Sequence, residues 1–315
     1  MPRVIGASVQ VTLGGASRRI ERQTMTDPVP AAQPDPTAQP DPTAQPDAAP
    51  RGSAAPPAPS SAPALSEQVV VVTGGARGLG RAITEAFLRE GARVVIDHLR
   101  SADAAREIAA AHEGRALAVR ADVRDRAALD ALFAEAEDHF GAPVSTVVSN
   151  ALTDFAFDGD ARPKAAEIGY EAFAAQFAGS VQGTVNLVQA ALPHFDRAGS
   201  GRVVTIGTNL FQNPVVPYHD YTAAKAALLS LTRTFAADLG PRGVRVNMLS
   251  GGLLRTTDAS AATPEAVFDA IAASTPLGSV TTPEEFADAV LLLASPLSRA
   301  ITGQNLVVDG GLVKD

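Results

Sequence analysis

The chain has no cysteine and no tryptophan in 315 residues, and aromatic side chains make up only 5% of it. Without thiols there is no disulfide framework, no zinc finger and no cysteine nucleophile, a composition that suits a reducing, cytoplasmic compartment. Long apolar runs are missing as well: none reaches the ~18–20 residues that a membrane-spanning helix requires, so no membrane association is expected. Positive charge is in deficit, with 26 Lys and Arg against 34 Asp and Glu for a formal net charge of −8. That balance argues against a nucleic-acid partner and favours solubility. The five histidines, His98, His112, His139, His194 and His219, are scattered and lack metal-ligand spacing, so no metal is expected.

Proline is unevenly spent. Thirteen of the 23 prolines fall within residues 1–64, where AQPDPT repeats and then gives way to a Pro/Ala/Ser stretch. Proline removes amide donors and biases its predecessor away from helix, so this segment is expected to be extended, solvated and without a core. It reads as a dispensable tail rather than a docking arm. Residues 1–24 are too weakly apolar for a signal peptide, and Arg18-Arg19 lacks the apolar stretch of a twin-arginine signal. Met25, opening MTDP, is a candidate translation start.

From residue 65 onward strands alternate with helices, the pattern of a parallel sheet covered on both faces. Strands are predicted at 68–73, 93–97, 115–120, 143–149, 201–207, 244–249 and 305–309. Helices are predicted at 79–90, 102–112, 126–140, a long one around 167–195, 219–239, 264–273 and 283–294. Seven strands in about 250 residues make a single α/β doubly wound domain, residues 65–315. The first strand, QVVVVT, runs straight into Gly74-Gly75-Ala76-Arg77-Gly78-Leu79-Gly80 and then a helix. Glycines there permit positive φ and close backbone approach, while a helix N-terminus offers free amides to a pyrophosphate. Nucleotide binding is the expected role.

A second constellation lies in TIGTNLFQNPVVPYHDYTAAK, residues 205–225. Tyr221 and Lys225 are four apart in a helix-forming stretch and so share one face. Thr208 closes a strand-like run that can bring its hydroxyl to the same spot. Lowering a phenol from ~10 to about 7 takes roughly 4 kcal/mol, and a cation about 4 Å away supplies a comparable amount at an effective dielectric of ~20. The group is suited to general acid/base catalysis on a carbonyl or alcohol. A Tyr and a Lys four apart also occur on many helices, so the nucleotide site gives the pair its meaning. Gly179-Ser180-Val181-Gln182-Gly183 lacks the spacing of a serine hydrolase elbow.

Taken together, T-G-x-x-x-G-x-G from Thr73 and Tyr-x-x-x-Lys at 221–225 resemble the classical short-chain dehydrogenase/reductase family over residues 66–315. Within it, GARVVIDHLRS, YTAAKAAL and GVRVNMLSGG are similar to 3-oxoacyl-acyl-carrier-protein reductases of fatty acid biosynthesis. The resemblance implies a nicotinamide cofactor held by Thr73, Gly74, Arg77, Gly78, Leu79 and Gly80, by Asp122 and Val123 at the adenine, and by Asn150, Ala151, Tyr221, Lys225 and Thr256. It assigns the ribose 2′ position to His98, with Arg100 two residues on, and two guanidiniums, Arg77 and Arg100, favour NADP(H) over NAD(H). A register one residue earlier would put Asp97 there and reverse the preference. The implied catalytic set is Tyr221 as acid/base, Lys225, Thr208 in place of the family serine and Ser180 in place of the family asparagine. The implied substrate is a 3-oxoacyl thioester or similar ketone, small or acyl-carrier-bound.

The chain also departs from the family pattern. Leu152 replaces a glycine, and Gly251-Gly252 replaces Pro-Gly, which is expected to loosen the loop that follows. Residues 253–280 carry Leu253, Leu254, Val267, Phe268, Ile271 and Leu277, suggesting an apolar substrate or ordinary core. The alternative to an active reductase is a catalytically weakened cofactor-binding relative with a structural or regulatory role. Apolar residues on several faces of 167–195 and 219–239, with the family habit, imply a homotetramer or dimer.

Overall fold

The structure is a computed structural model that describes residues 63–152, 155, 157, 159–257 and 260–314. The expected Pro/Ala-rich segment over residues 1–64 falls, but for Pro63 and Ala64, outside the described residues. From residue 65 the chain forms one parallel seven-stranded sheet in the order β3-β2-β1-β4-β5-β6-β7. The strands are β1 Val69–Val72, β2 Arg93–His98, β3 Ala116–Arg120, β4 Thr146–Ser149, β5 Gly201–Thr208, β6 Val244–Gly251 and β7 Asn305–Val308. Each falls within two or three residues of the stretch its β-branched run predicts.

Strand β1 shows why the pattern works. All four valines are buried. Val70 and Val72 enter one core with Ile83, Phe87, Phe286 and Val290, whereas Val69 and Val71 enter the other with Leu129, Phe133, Leu187 and Phe195. A strand with a period of two and helices on both sides must be apolar at every position. The first core is closed by α1 Gly78–Arg89, α2 Ala102–Ala111 and α8 Pro283–Ala294. The second is closed by α3 Arg126–Phe140, α5 Gly183–Ala198 and α6 His219–Leu239. At ~1.5–3 kcal/mol for each fully buried large aliphatic or aromatic side chain, these two layers dominate the stability.

The helix predicted around 167–195 is divided. It comprises α4 Tyr170–Phe177, a π-helical turn at Ala178–Gln182, and α5. The turn contains Gly179 and Ser180 and ends at Gly183, whose missing Cβ would lie 2.8 Å from Val123 Cγ2. Small residues thus let the helix pass close to the strand ends, at the cost of a register shift that periodicity alone does not reveal. The remaining helix is α7 Glu265–Ser274. Among the described residues no helix is long and apolar enough to cross a membrane, and no cluster of His, Asp or Glu could hold a metal ion.

Between β1 and β4 the strand order reverses direction. Open α/β sheets bind ligands at the carboxyl ends of their strands beside such a switch point, and both candidate motifs converge there.

Candidate active site

The glycine turn lies between β1 and α1. Gly74 and Gly78 have φ of +63° and +51°, a region L side chains rarely adopt. A Cβ on Gly80 would lie 2.0 Å from the Gly74 carbonyl oxygen, so this helix can pack against the turn only as glycine. A Cβ on Gly78 would meet nothing nearer than Thr257 Cβ at 3.7 Å. The packed glycines shape the turn, and the open one leaves backbone accessible. Arg77, the N-cap of α1, makes no side-chain capping hydrogen bond, which leaves first-turn amides to be met by another acceptor. A cleft of about 350 Å³ opens here, lined by Gly78, Arg81, Thr256, Thr257 and Pro283 among others. These features fit a dinucleotide's pyrophosphate.

Thr73 and Asn150 fix the turn from beneath. The Thr73 hydroxyl donates to the Val148 carbonyl at 3.2 Å and accepts from the Asn150 and Ala151 amides at 2.9 and 3.0 Å. The Asn150 side chain donates to the Thr73 carbonyl at 2.9 Å. These are positioning bonds within the protein. Asp122, after β3, is bound by Arg124, whose guanidinium holds the carboxyl below its ordinary range. Val123 is buried against Gly183.

Both Asp97 and His98 lie at the end of β2, and the structure separates their roles. Asp97 points inward, accepting from the Gly74 amide at 3.4 Å and the Ala121 amide at 3.2 Å. Burial pushes its carboxyl up to about 7, against the opposing pull of those amides. Its oxygens are engaged by backbone beneath the turn. His98 follows as the last strand residue, buried and held below its ordinary pKa by desolvation, then by Arg106 and Arg120. Arg77 and Arg100 are exposed.

On the other side of the switch point, α6 brings Tyr221 and Lys225 together, and both are buried. The Tyr221 hydroxyl lies near that of Thr208 at the end of β5. Thr208 Oγ1 accepts from the Leu210 amide at 3.3 Å, and its effect on the phenol is that of a donor directed at the Tyr221 oxygen. Lys225 Nζ lies 5.7 Å from the Tyr221 ring centre and donates to the Ile206 carbonyl at 2.7 Å. The expected acidified phenol is absent in this state. Burial pushes Tyr221 up to about 12, the nearby Thr208 hydroxyl opposing it, and pushes Lys225 down to about 8. Desolvation disfavours the charged form of each group. Ser180 lies in the π turn, buried, its hydroxyl without a hydrogen-bond partner among the described residues.

The phenol is covered by residues that the motifs do not include. Phe155 stacks on Tyr221 at 4.8 Å between ring centres and 29° between planes. Phe157 meets it edge-on at 5.6 Å, and Tyr218 at 6.4 Å. Tyr218 Oη accepts from the Gly159 amide at 2.8 Å, and Arg162 pairs with Asp220 at 2.5 Å, tying this segment to the start of α6. The available signal was F-x-F soon after β4, in a chain where aromatics are scarce. Gly251 and Gly252, expected to loosen the next loop, are close-packed instead. Their missing Cβ atoms would lie 2.8 Å from Phe286 and 2.9 Å from Asn209. Leu254 and Phe268 are buried, and Leu254 belongs to the first core.

A doubly wound sheet with a glycine turn at one edge of its switch point and a Tyr/Lys/Thr group at the other defines a nucleotide-dependent oxidoreductase. Residues 74–313 match the family model described as enoyl-(acyl carrier protein) reductase. Cis-4-hydroxycyclohexanecarboxylate dehydrogenase of Sinomonas cyclohexanicum is 35% identical over 251 residues, covering 78% of this chain and 96% of that protein. 3beta-hydroxysteroid dehydrogenase 1 of Eggerthella lenta is 35% identical over 261 residues, covering 79% and 94%. A solved short-chain dehydrogenase/reductase structure from Brucella melitensis, described as a glucose/ribitol dehydrogenase, superposes with a TM-score of 0.70 at 26% identity, covering 79% and 97%. The chain belongs to the classical short-chain dehydrogenase/reductase family.

Proposed function

We propose that this protein is an NADP(H)-dependent oxidoreductase interconverting a ketone and a secondary alcohol, with Tyr221 as the acid/base. The observation that carries the reading is the buried Tyr221 on one face of α6 with Lys225, close to the Thr208 hydroxyl. The nicotinamide, when bound, supplies the hydride that the carbonyl carbon accepts. Tyr221 gives its proton to the carbonyl oxygen, and Thr208 donates a hydrogen bond to that same oxygen. Lys225, already inclined to share its proton by burial, is positioned to exchange its Ile206 contact for the nicotinamide ribose. Ser180, buried in the π turn with an unpartnered hydroxyl, would stand in for the family asparagine. Gly74, Arg77, Gly78, Leu79, Gly80 and Thr256 would hold the phosphates and carboxamide, with Thr73 and Asn150 setting the turn beside Ala151, and with Asp122 and Val123 at the adenine.

The NADP(H) preference rests on the end of β2. Asp97 is engaged by backbone amides, while His98 faces Arg106 and Arg120; Arg77 in the turn and Arg100 two residues beyond His98 are exposed. A 2′-phosphate dianion suits such surroundings, and a bare ribose hydroxyl has no carboxylate to meet there.

For the substrate, a cyclic ketone or alcohol fits better than a 3-oxoacyl thioester. The walls beside Tyr221 are aromatic, and apolar residues expected to line an acyl site, Leu254 and Phe268, are core. Relatives named for a hydroxycyclohexanecarboxylate and for hydroxysteroids point the same way. A cytoplasmic homo-oligomer is proposed as well, since α4 leaves Tyr170 and Phe177 exposed. The second reading, a cofactor-binding relative with weakened catalysis, draws on the covered phenol and the unpartnered Ser180 hydroxyl.

A panel of cyclic ketones and acetoacetyl thioesters, run with NADPH and NADH, separates the readings. The expected result is NADPH oxidation with at least one ketone, reduced by 10²–10⁴-fold in Tyr221→Phe. No turnover across the panel, or a rate that Tyr221→Phe leaves unchanged, overturns the enzyme reading.

A further inference from the structure

The group around Arg162 has no part in hydride transfer, yet it lies against the catalytic phenol. Arg162 is only 16% exposed at its side chain and pairs with Asp220, which is 3% exposed and immediately precedes Tyr221. The pair uses one nitrogen of the guanidinium. Nε is buried and has no hydrogen-bond partner among the described residues, and neither has Asp220 Oδ1. A planar guanidinium carries five N–H donors in a fork that matches a carboxylate. A neutralising partner that takes one of them leaves the fork incomplete, inside a wall where an unmet donor is costly.

Phe155 links this cation to the phenol. The Arg162 guanidinium carbon is 4.4 Å from the Phe155 ring centre, and the same ring stacks on Tyr221 at 4.8 Å. One six-membered ring therefore touches both the proton donor and the guanidinium. Phe157 and Tyr218 complete the enclosure, at 4.9 and 5.3 Å from Phe155. Aromatic walls hold ring substrates through dispersion and edge-to-face contacts. Apart from the Tyr218 hydroxyl, which is engaged by the Gly159 amide, they offer nothing polar, so the guanidinium is the feature that can select among them.

Resting on the carbonyl-reductase reading above, we infer that the substrate is a ring-bearing oxo acid, or the matching hydroxy acid. Its ring packs among Phe155, Phe157 and Tyr218 with the carbonyl at Tyr221 and Thr208. Its carboxylate is received by Arg162, which thereby determines specificity. The reaction balances as before: the carbonyl carbon gains hydride, its oxygen gains the phenol proton, and the carboxylate is unchanged. Asp220 holds the fork in place and keeps the cation from standing alone when the substrate has left.

The test compares 4-oxocyclohexanecarboxylate with its methyl ester, and with cyclohexanone, using NADPH and the full chain. In the unaltered protein the acid is expected to exceed the ester in kcat/KM by about tenfold or more, mainly through KM. In the double variant Arg162→Met, Asp220→Asn, which removes the buried pair together, the ratio of acid to ester within that variant is expected to fall to near one. Should that variant fail to fold, Arg162→Lys is read instead, and its ratio is expected to drop about threefold because the fork is lost. Equal rates for acid and ester, or a preference that survives these substitutions, overturn the inference. Tyr221-dependent reduction of cyclohexanone without preference for the acid leaves the reductase reading standing and sinks only this one. Failure of every ketone with either nicotinamide sinks both.

Discussion

The two sides of the switch point are built on different principles. On the glycine-turn side, backbone is tied to backbone: Asp97, Thr73 and Asn150 each bridge main-chain groups of neighbouring strands, at 2.9–3.4 Å. On the phenol side, the elements meet through rings and one ion pair. A hydrogen-bonded turn has one geometry. An aromatic enclosure can repack at little cost. The largest and smallest expected effects below fall on opposite sides of this division.

The largest effect is a pH dependence of stability on the cofactor side. Asp97 has a folded pKa of about 7 against an ordinary 3.8. Between those values the folded protein keeps a proton that the unfolded chain has lost, so stability falls as pH rises from about 4 to about 7. The penalty is absent below that window and complete above it, at about 4 kcal/mol. Denaturant unfolding of wild type and Asp97→Asn across pH 4–8 reads it as a difference that changes through the window. A constant difference would show that the two amides hold Asp97 ionised throughout. Next in size is Gly80→Ala, whose new Cβ would have to displace the Gly74 carbonyl, 2.0 Å away. A loss of about 3 kcal/mol is expected, with weaker NADPH binding by fluorescence titration. An unchanged midpoint would mean that the turn has slack.

The same division sets what could be read from sequence. The elements were legible because β-branched runs and helix signals are local. Asp125 caps α3 by accepting from the Ala127 amide, and Thr282 and Glu285 form a capping box on α8. The residues of the glycine turn and the Tyr221/Lys225 pair were legible for the same reason: their spacing fixes their geometry. The π turn at Ser180 was not, since it replaces one helical register by another without breaking the apolar pattern. Nor was the Phe155–Arg162–Asp220 group, because its members come from a loop and a helix some 60 residues apart and meet only in the folded protein. Burial, which no spacing rule reports, acts on both the phenol and the ammonium of the pair.

Phe155→Ala tests the plastic side at its centre. The ring is half-buried, so its removal is expected to cost only about 1 kcal/mol, well short of the ~3–5 kcal/mol for a phenylalanine in a closed core. Its electrostatic effect should be larger. Tyr221 is held at about 12 chiefly by desolvation, and opening one face to water removes part of that cause while leaving Thr208 and Lys225 in place. The phenol is therefore expected to titrate closer to its ordinary 10. Phenolate absorbance reads this against Tyr221→Phe, which subtracts the signals of Tyr170 and Tyr218. A raised folded pKa means that stability is lost as pH climbs from about 10 to about 12, and that loss should be smaller in the variant. If the phenol instead stays near 12 while stability drops by several kcal/mol, Phe155 is core rather than cover. The aromatic side would then be as fixed as the glycine turn, and the contrast between the two would fail.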